Sequence, residues 1–220
     1  MLIGTIGFIG SGKGTVADIL VEKKGFTKLA FADSVKDATA AIFGWPRALL
    51  EGDTDESRRF REEVDPWWSE KTGKYITPRY MLQLMGTEAG RDVFHKDLWI
   101  LSLEKKLGMY QDVVIADVRF PNEMKFIQDK GGFIVRVKRG DDPPWAEDAK
   151  RANLEGNTDL MADHRIHYSE WAWIGSPVDY QLDNVGPISM LAADIDHMLK
   201  VFTGPQKVLT TPQKSATIAA

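Results

Sequence analysis

A chain of 220 residues with 43% hydrophobic side chains can bury one good core, with room for an inserted subdomain but not for two independent domains. Its 28 basic and 32 acidic residues are mixed along the chain to a net charge of -4, which leaves no broad basic field for nonspecific binding of duplex nucleic acid. The absence of cysteine excludes disulfides, thiolate nucleophiles and Cys-ligated zinc; with no long apolar run and no basic leader at Met1, the expectation is a cytoplasmic protein with no membrane partner.

In chain order, LIGTIGFI is apolar and rich in β-formers, and Lys13 to Lys24 then carries Val16, Ile19 and Leu20 at helical spacing. That is a strand, a Gly-rich turn and a helix. TKLAFA (27–32) reads as a short buried strand, with Asp33 as N-cap of the helical stretch SVKDATAAIF. From Trp45 to Gly90 the chain becomes charged and aromatic, broken by Pro46, Pro66 and Pro78, and predicts several short helices inserted at one sheet edge. KDLWILSLEKKL (96–107) is an amphipathic helix, and DVVIADV (112–118) has the uninterrupted apolar character of a buried parallel strand. FPNEMKFIQDKG predicts a helix and FIVRVK a strand. Arg139 to Glu170 is polar, irregular and too long for an ordinary connection, which suits a lid. YQLDN (180–184) and the helix PISMLAADIDHMLKVF close the fold. The expected organisation is one domain over 1–202, with an insertion over about 45–92, a lid over about 139–170 and an unstructured tail over 203–220.

Strands alternating with helices predict an α/β, doubly wound, mostly parallel sheet, which binds ligands beyond the carboxyl ends of its strands. GFIGSGKGT (7–15) lies at such an end. Gly10, Gly12 and Gly14 let the backbone turn its N–H groups inward, with Ser11 between them; the helix N-terminus adds partial positive charge and Lys13 a full one. Polyphosphate needs all three. The usual phosphate-loop spelling fails by one position, because residue 14 is Gly and the hydroxyl falls on Thr15.

Three further stretches bear on what lies opposite this loop, the first of them following the second strand at the same sheet edge. Asp33-Ser34-Val35-Lys36 either faces an incoming monophosphate or is an ordinary cap with a solvated lysine. In TPRYMLQLMGTEAGRD (77–92), Arg79, Gln83, Thr87, Glu88 and Arg91 either form a solvated helix face or read a base edge and hold a monophosphate. In DVRFPNE (117–123), Asp117 ends an apolar strand as a magnesium-side carboxylate or a helix cap, and Arg119 emerges where phosphoryl oxygens would lie.

GFIGSGKGT, FADSVK, LQLMGTEAGR, DVRFPNE, HYSE (167–170) and LDNVG (182–186), in this order, resemble the deoxynucleoside monophosphate kinases of tailed bacteriophages over roughly residues 2–200. The resemblance implies a three-layer P-loop kinase fold with a mostly parallel five-stranded sheet, a helical substrate-binding insertion and a lid. It implies transfer of the γ-phosphoryl group of ATP, with Mg2+, to a deoxynucleoside monophosphate, by alignment and cationic stabilisation under a closing lid. By position, Gly10 to Thr15 would hold the ATP phosphates, and Lys13 would neutralise the transferring group. Asp33, Lys36, Arg79, Gln83, Thr87, Glu88 and Arg91 would line the acceptor side, and Arg119 with Arg136 or Arg139 would bind phosphoryl oxygens. Ser169 and Glu170 match a family pair near the acceptor, or a lid helix N-terminus. Asn184 and Gly186 stand where relatives pass the adenine, or in a plain strand-to-helix turn. Lys36 replaces the family arginine, and Gly14 leaves the magnesium to phosphates, water and Asp117 or Thr15. A homodimer is the family expectation. The alternatives are another small-molecule P-loop kinase, for dephospho-coenzyme A or a nucleoside, and a noncatalytic nucleotide-dependent module. The tryptophans read as hydrophobic anchors rather than base platforms, and the four histidines show no zinc spacing.

Overall fold

A computed structural model describes residues 1–204. Five parallel strands, β1 (Leu2–Ile6), β2 (Thr27–Leu29), β3 (Val113–Ile115), β4 (Phe133–Lys138) and β5 (Tyr180–Asp183), form one sheet in the order β2-β3-β1-β4-β5. Every residue of the central β1 is buried, as a parallel strand covered on both faces must be. Its side chains alternate between two cores. Leu2 and Ile6 join Val113, Ile115 and Ile134 on one face, while Ile3 joins Val114, Val135 and Leu182 on the other.

Helices α1 (Lys13–Lys24) and α9 (Ile188–Thr203) cover the second face through Val16, Leu20, Leu191 and Ile195. The first face takes α6 (Leu98–Leu107), α7 (Pro121–Asp129) and α8 (Ala146–Glu155). Gly4 of β1 is what admits α7, since a side chain there would meet Ile127 at 2.5 Å. After α2 (Asp33–Phe43), the expected insertion is wholly helical: α3 (Asp55–Glu62), α4 (Pro66–Thr72) and α5 (Pro78–Leu84) surround a small core of Trp45, Leu50, Ile76 and Met81. A ten-residue π-helix, Met85–Phe94, continues α5.

The stretch expected as a polar, irregular lid differs most from expectation. Ala146, Ala149 and Ala152 form a buried stripe along α8, and Trp171 and Trp173, 3% and 5% exposed, join the main core. Charged residues between these positions masked the stripe in the sequence. Thr203 and Gly204 end α9, and the rest of the expected tail, 205–220, lies outside the described residues. Among the described residues, no helix is long and apolar enough to cross a membrane. The connection leaving β1 runs through α1 on one face, while that leaving β3 runs through α7 on the other, so a crevice opens between their carboxyl ends.

Candidate active site

The loop after β1 is shaped for phosphate. Gly7 leaves the strand at φ 146°, where a side chain would strike the Val137 carbonyl; Gly12 caps α1 at φ 99°, where one would strike the Asn184 amide. Asn184 Nδ2 donates to the Ser11 carbonyl at 3.0 Å, so the turn after β5 braces the loop from outside. Lys13 folds over its own loop, its ammonium donating to the carbonyls of Gly7 (2.6 Å) and Phe8 (2.9 Å). Burial, with repulsion from Arg119, lowers its pKa to about 8, and Glu170 partly offsets this. A half-buried cation satisfied only by neutral carbonyls can exchange them for an anion.

Beside this loop lies a cavity of about 250 Å³. One wall is a single row, Arg79, Gln83, Thr87 and Arg91, running from α5 into the π-helix. Each four-residue step overshoots a 3.6-residue turn by about 40°, so the row would wind away from the wall along a continuous α-helix. The wider π turn returns Thr87 and Arg91 to line. Gly90 makes the close approach possible, since a side chain there would meet the Trp99 ring and the Met85 carbonyl at 2.5 Å; Trp99 Nε1 donates to the Gly86 carbonyl at 2.8 Å.

The facing wall follows β2 and β3. The Asp117 carboxylate accepts from the backbone amides of Phe31 (3.0 Å) and Ala32 (2.8 Å), tying the two strand ends together, and burial raises its pKa. Lys36 pairs with Glu51 at 2.5 Å, and Arg119 pairs with Glu170. The Ser169 hydroxyl lies 2.8 Å from His167 Nδ1, which also accepts from the Ser169 amide at 3.3 Å, and His167 Nε2 lies 3.8 Å from Glu88. Arg61 enters from α3 past Gly52, whose φ of 77° and lack of a side chain leave it room. Its Nε is buried without a partner among the described residues, and burial with repulsion from Arg79 and Arg119 lowers its pKa.

A protein of Acanthamoeba polyphaga mimivirus, provisionally named a deoxynucleotide monophosphate kinase, is 35% identical over 153 residues, 63% of this chain and 74% of the relative. The chain belongs to the deoxynucleotide monophosphate kinase family. A second relative of this kinase, the deoxynucleoside-5'-monophosphate kinase of Escherichia phage T5, is 27% identical over 186 residues, covering 59% of this chain and 72% of its own. No family model matches the chain. Among solved structures, shikimate kinase from Aquifex aeolicus vf5 aligns over 91% of this chain and 97% of its own at 16% identity and a TM-score of 0.42. TT1252 from Thermus thermophilus aligns over 93% and 98% at 20% identity and a TM-score of 0.45.

The residues expected from the resemblance are distributed unevenly in this kinase. Lys36, Arg79, Gln83, Thr87, Arg91, Asp117, Arg119, Ser169 and Glu170 line one cavity, and Ser11, Lys13 and Thr15 lie on or beside the glycine loop. Gly10 holds φ 79° at the tip, and Gly14, in the first turn of α1, faces open space. Asn184 acts as a brace, and Gly186 packs beside Met190 in the turn before α9. Four expected residues lie outside the cavity lining. Asp33, expected as the N-cap, is instead the first residue of α2 after the cap Ala32; its carboxylate accepts from the Ala30 amide and approaches Arg47 at 3.4 Å. Glu88 points to His167 from the rim. Arg136 is held by Asp142 at 2.6 Å and lies 5.5 Å from the Trp173 ring, so it fastens the segment after β4. Arg139 is exposed on that segment. Asp117, expected at the metal, has both oxygens engaged by amides. Sequence reasoning missed Glu51, Arg61 and Glu123. Only the glycine at 52 hints that something passes close there.

Proposed function

We propose that the protein transfers the γ-phosphoryl group of ATP to the phosphate of a deoxynucleoside 5'-monophosphate, giving ADP and the diphosphate. The observation that carries this reading is the charge of the cavity beside the Lys13 loop. Lys36, Arg61, Arg79, Arg91 and Arg119 line it against Glu51, Asp117, Glu123 and Glu170, and Arg61 has no carboxylate partner among the described residues. A neutral acceptor hydroxyl calls for no such excess; a monophosphate does.

In this reading the loop amides of Gly10 to Thr15 receive the ATP phosphates and Lys13 exchanges the Gly7 and Phe8 carbonyls for them. The acceptor phosphate lies against Arg61, with Lys36 and Arg79 adding charge. Arg119 stands between the two phosphates and gives up Glu170 to take a phosphoryl oxygen. Gln83 and Thr87 meet base and sugar against the apolar surface of Phe31, Val35 and Trp99. Among the described residues no group of three His, Asp or Glu side chains could hold a metal ion, and Asp117 is engaged, so the fit for magnesium is through Thr15 and the nucleotide phosphates. Bound there, the ion would supply charge neutralisation. Arg119 binds the moving group by alignment and charge, with no covalent enzyme intermediate.

The test is ADP release with Mg·ATP against a panel of deoxyribonucleoside and ribonucleoside monophosphates. At least one deoxynucleoside monophosphate stimulates release well above the acceptor-free rate; no stimulation by any would remove the reading.

A further inference from the structure

One buried carboxylate joins the two walls of the cavity. Glu123 is 1% exposed and sits in the first turn of α7. Its Oε2 accepts from the backbone amides of Arg119 (2.7 Å) and Phe120 (3.1 Å), and its Oε1 pairs with the Arg91 guanidinium at 2.5 Å. Arg91 is itself 10% exposed, stacks 4.0 Å over the Phe120 ring and leaves its Nε without a partner among the described residues. A carboxylate that served only as a helix cap would need the amides alone. Here the second oxygen reaches across to the π-helix, the element that carries Thr87 and Arg91 into the cavity.

We propose that Glu123 is a positioning residue for phosphoryl transfer, locking the π-helix wall through Arg91 to the segment that carries Arg119, so that acceptor and phosphoryl-binding arginine are held in one register. This rests on the kinase reading above. The groups facing Glu123 are Arg91 from the π-helix and Asp117 and Arg119 from the segment after β3. Burial is the largest influence on its carboxyl, raising the pKa to about 7; Arg91 opposes this and Asp117 adds to it. The ionised form holds Arg91, so the lock weakens as pH falls through about 7.

The experiment compares wild type, E123Q and E123D in steady-state kinetics with acceptor and ATP varied separately, across pH. Gln keeps the volume and can still accept from both amides, but it turns an N–H toward Arg91. The expected result for E123Q is a loss of about ten- to a hundredfold in kcat/KM for the monophosphate, the scale of a slight misplacement of reacting groups, with KM for ATP little changed. The wild-type acid limb near neutral pH disappears in E123Q and persists in E123D, which retains the charge but not the reach. Wild-type kinetics and pH profile in folded E123Q, or a loss confined to thermal stability, would overturn the proposal. If E123Q does not fold, E123D and the wild-type profile still decide: a wild-type profile with no acid limb between pH 6 and 8 would overturn it, with no bearing on whether the wild type phosphorylates the monophosphate.

Discussion

Arg61 and Lys13 are both half-buried cations with no carboxylate partner among the described residues, but only Lys13 announces itself in the sequence. Its place in GFIGSGKGT follows from local chemistry, because glycines, a helix start and a lysine act within nine residues. Arg61 lies in SRRFREEVD, where five other charges surround it and nothing in spacing separates a half-buried guanidinium from a solvated one. Tertiary contacts alone decide it: Glu51 turns aside to Lys36 and Arg47, leaving Arg61 near the Glu51 carbonyl at 3.4 Å, with no other hydrogen-bond partner among the described residues, on the cavity lining. Arg61→Ala is therefore expected to raise KM for the monophosphate about tenfold or more, the cost of losing one charge-assisted contact, and to leave KM for ATP close to wild type. Steady-state titration of each substrate checks this; an unchanged acceptor KM would return Arg61 to a structural role.

Among the elements, the helix from Pro78 onward shows where pattern reading stops. The steps of four from Arg79 to Arg91 are visible in the sequence, yet four-residue spacing suits a solvated α-helical face equally well. What selects the cavity wall is the π register over Met85–Phe94, and that register depends on Trp99 pressing on Gly90 and donating to Gly86 from α6, contacts distant from the local pattern. Gly90→Ala would push a methyl group into the Trp99 ring and the Met85 carbonyl. Overpacking of this kind costs about 1–3 kcal/mol, read as a lower midpoint in urea, with a weakened acceptor KM because Arg91 moves. A fully stable variant with normal kinetics would show that the π-helix does not need this glycine. The lid stretch teaches the same lesson from the other side: Ala146, Ala149 and Ala152 have helical spacing, but the acidic and basic residues between them give a polar average, and the burial appears only when Trp171 and Trp173 fold against them.

At the scale of the molecule, the parallel α/β architecture is the most legible feature, since βα alternation and buried apolar strands mark a parallel sheet, while the order β2-β3-β1-β4-β5 comes from the structure. The crevice between β1 and β3 follows from that order, and it brings the Lys13 loop and Arg119 together from segments about a hundred residues apart. In the proposed function the insertion supplies the acceptor side, and its charge selects a phosphate. The central claim is that a phosphate, not a hydroxyl, receives the transferred group. The most direct measurement gives the protein γ-labelled Mg·ATP with a deoxynucleoside monophosphate that stimulates ADP release, or with the matching unphosphorylated deoxynucleoside, and separates the products. The account predicts label in the diphosphate, with the nucleoside unlabelled. Label in a monophosphate made from the nucleoside, or only in free phosphate, would contradict it.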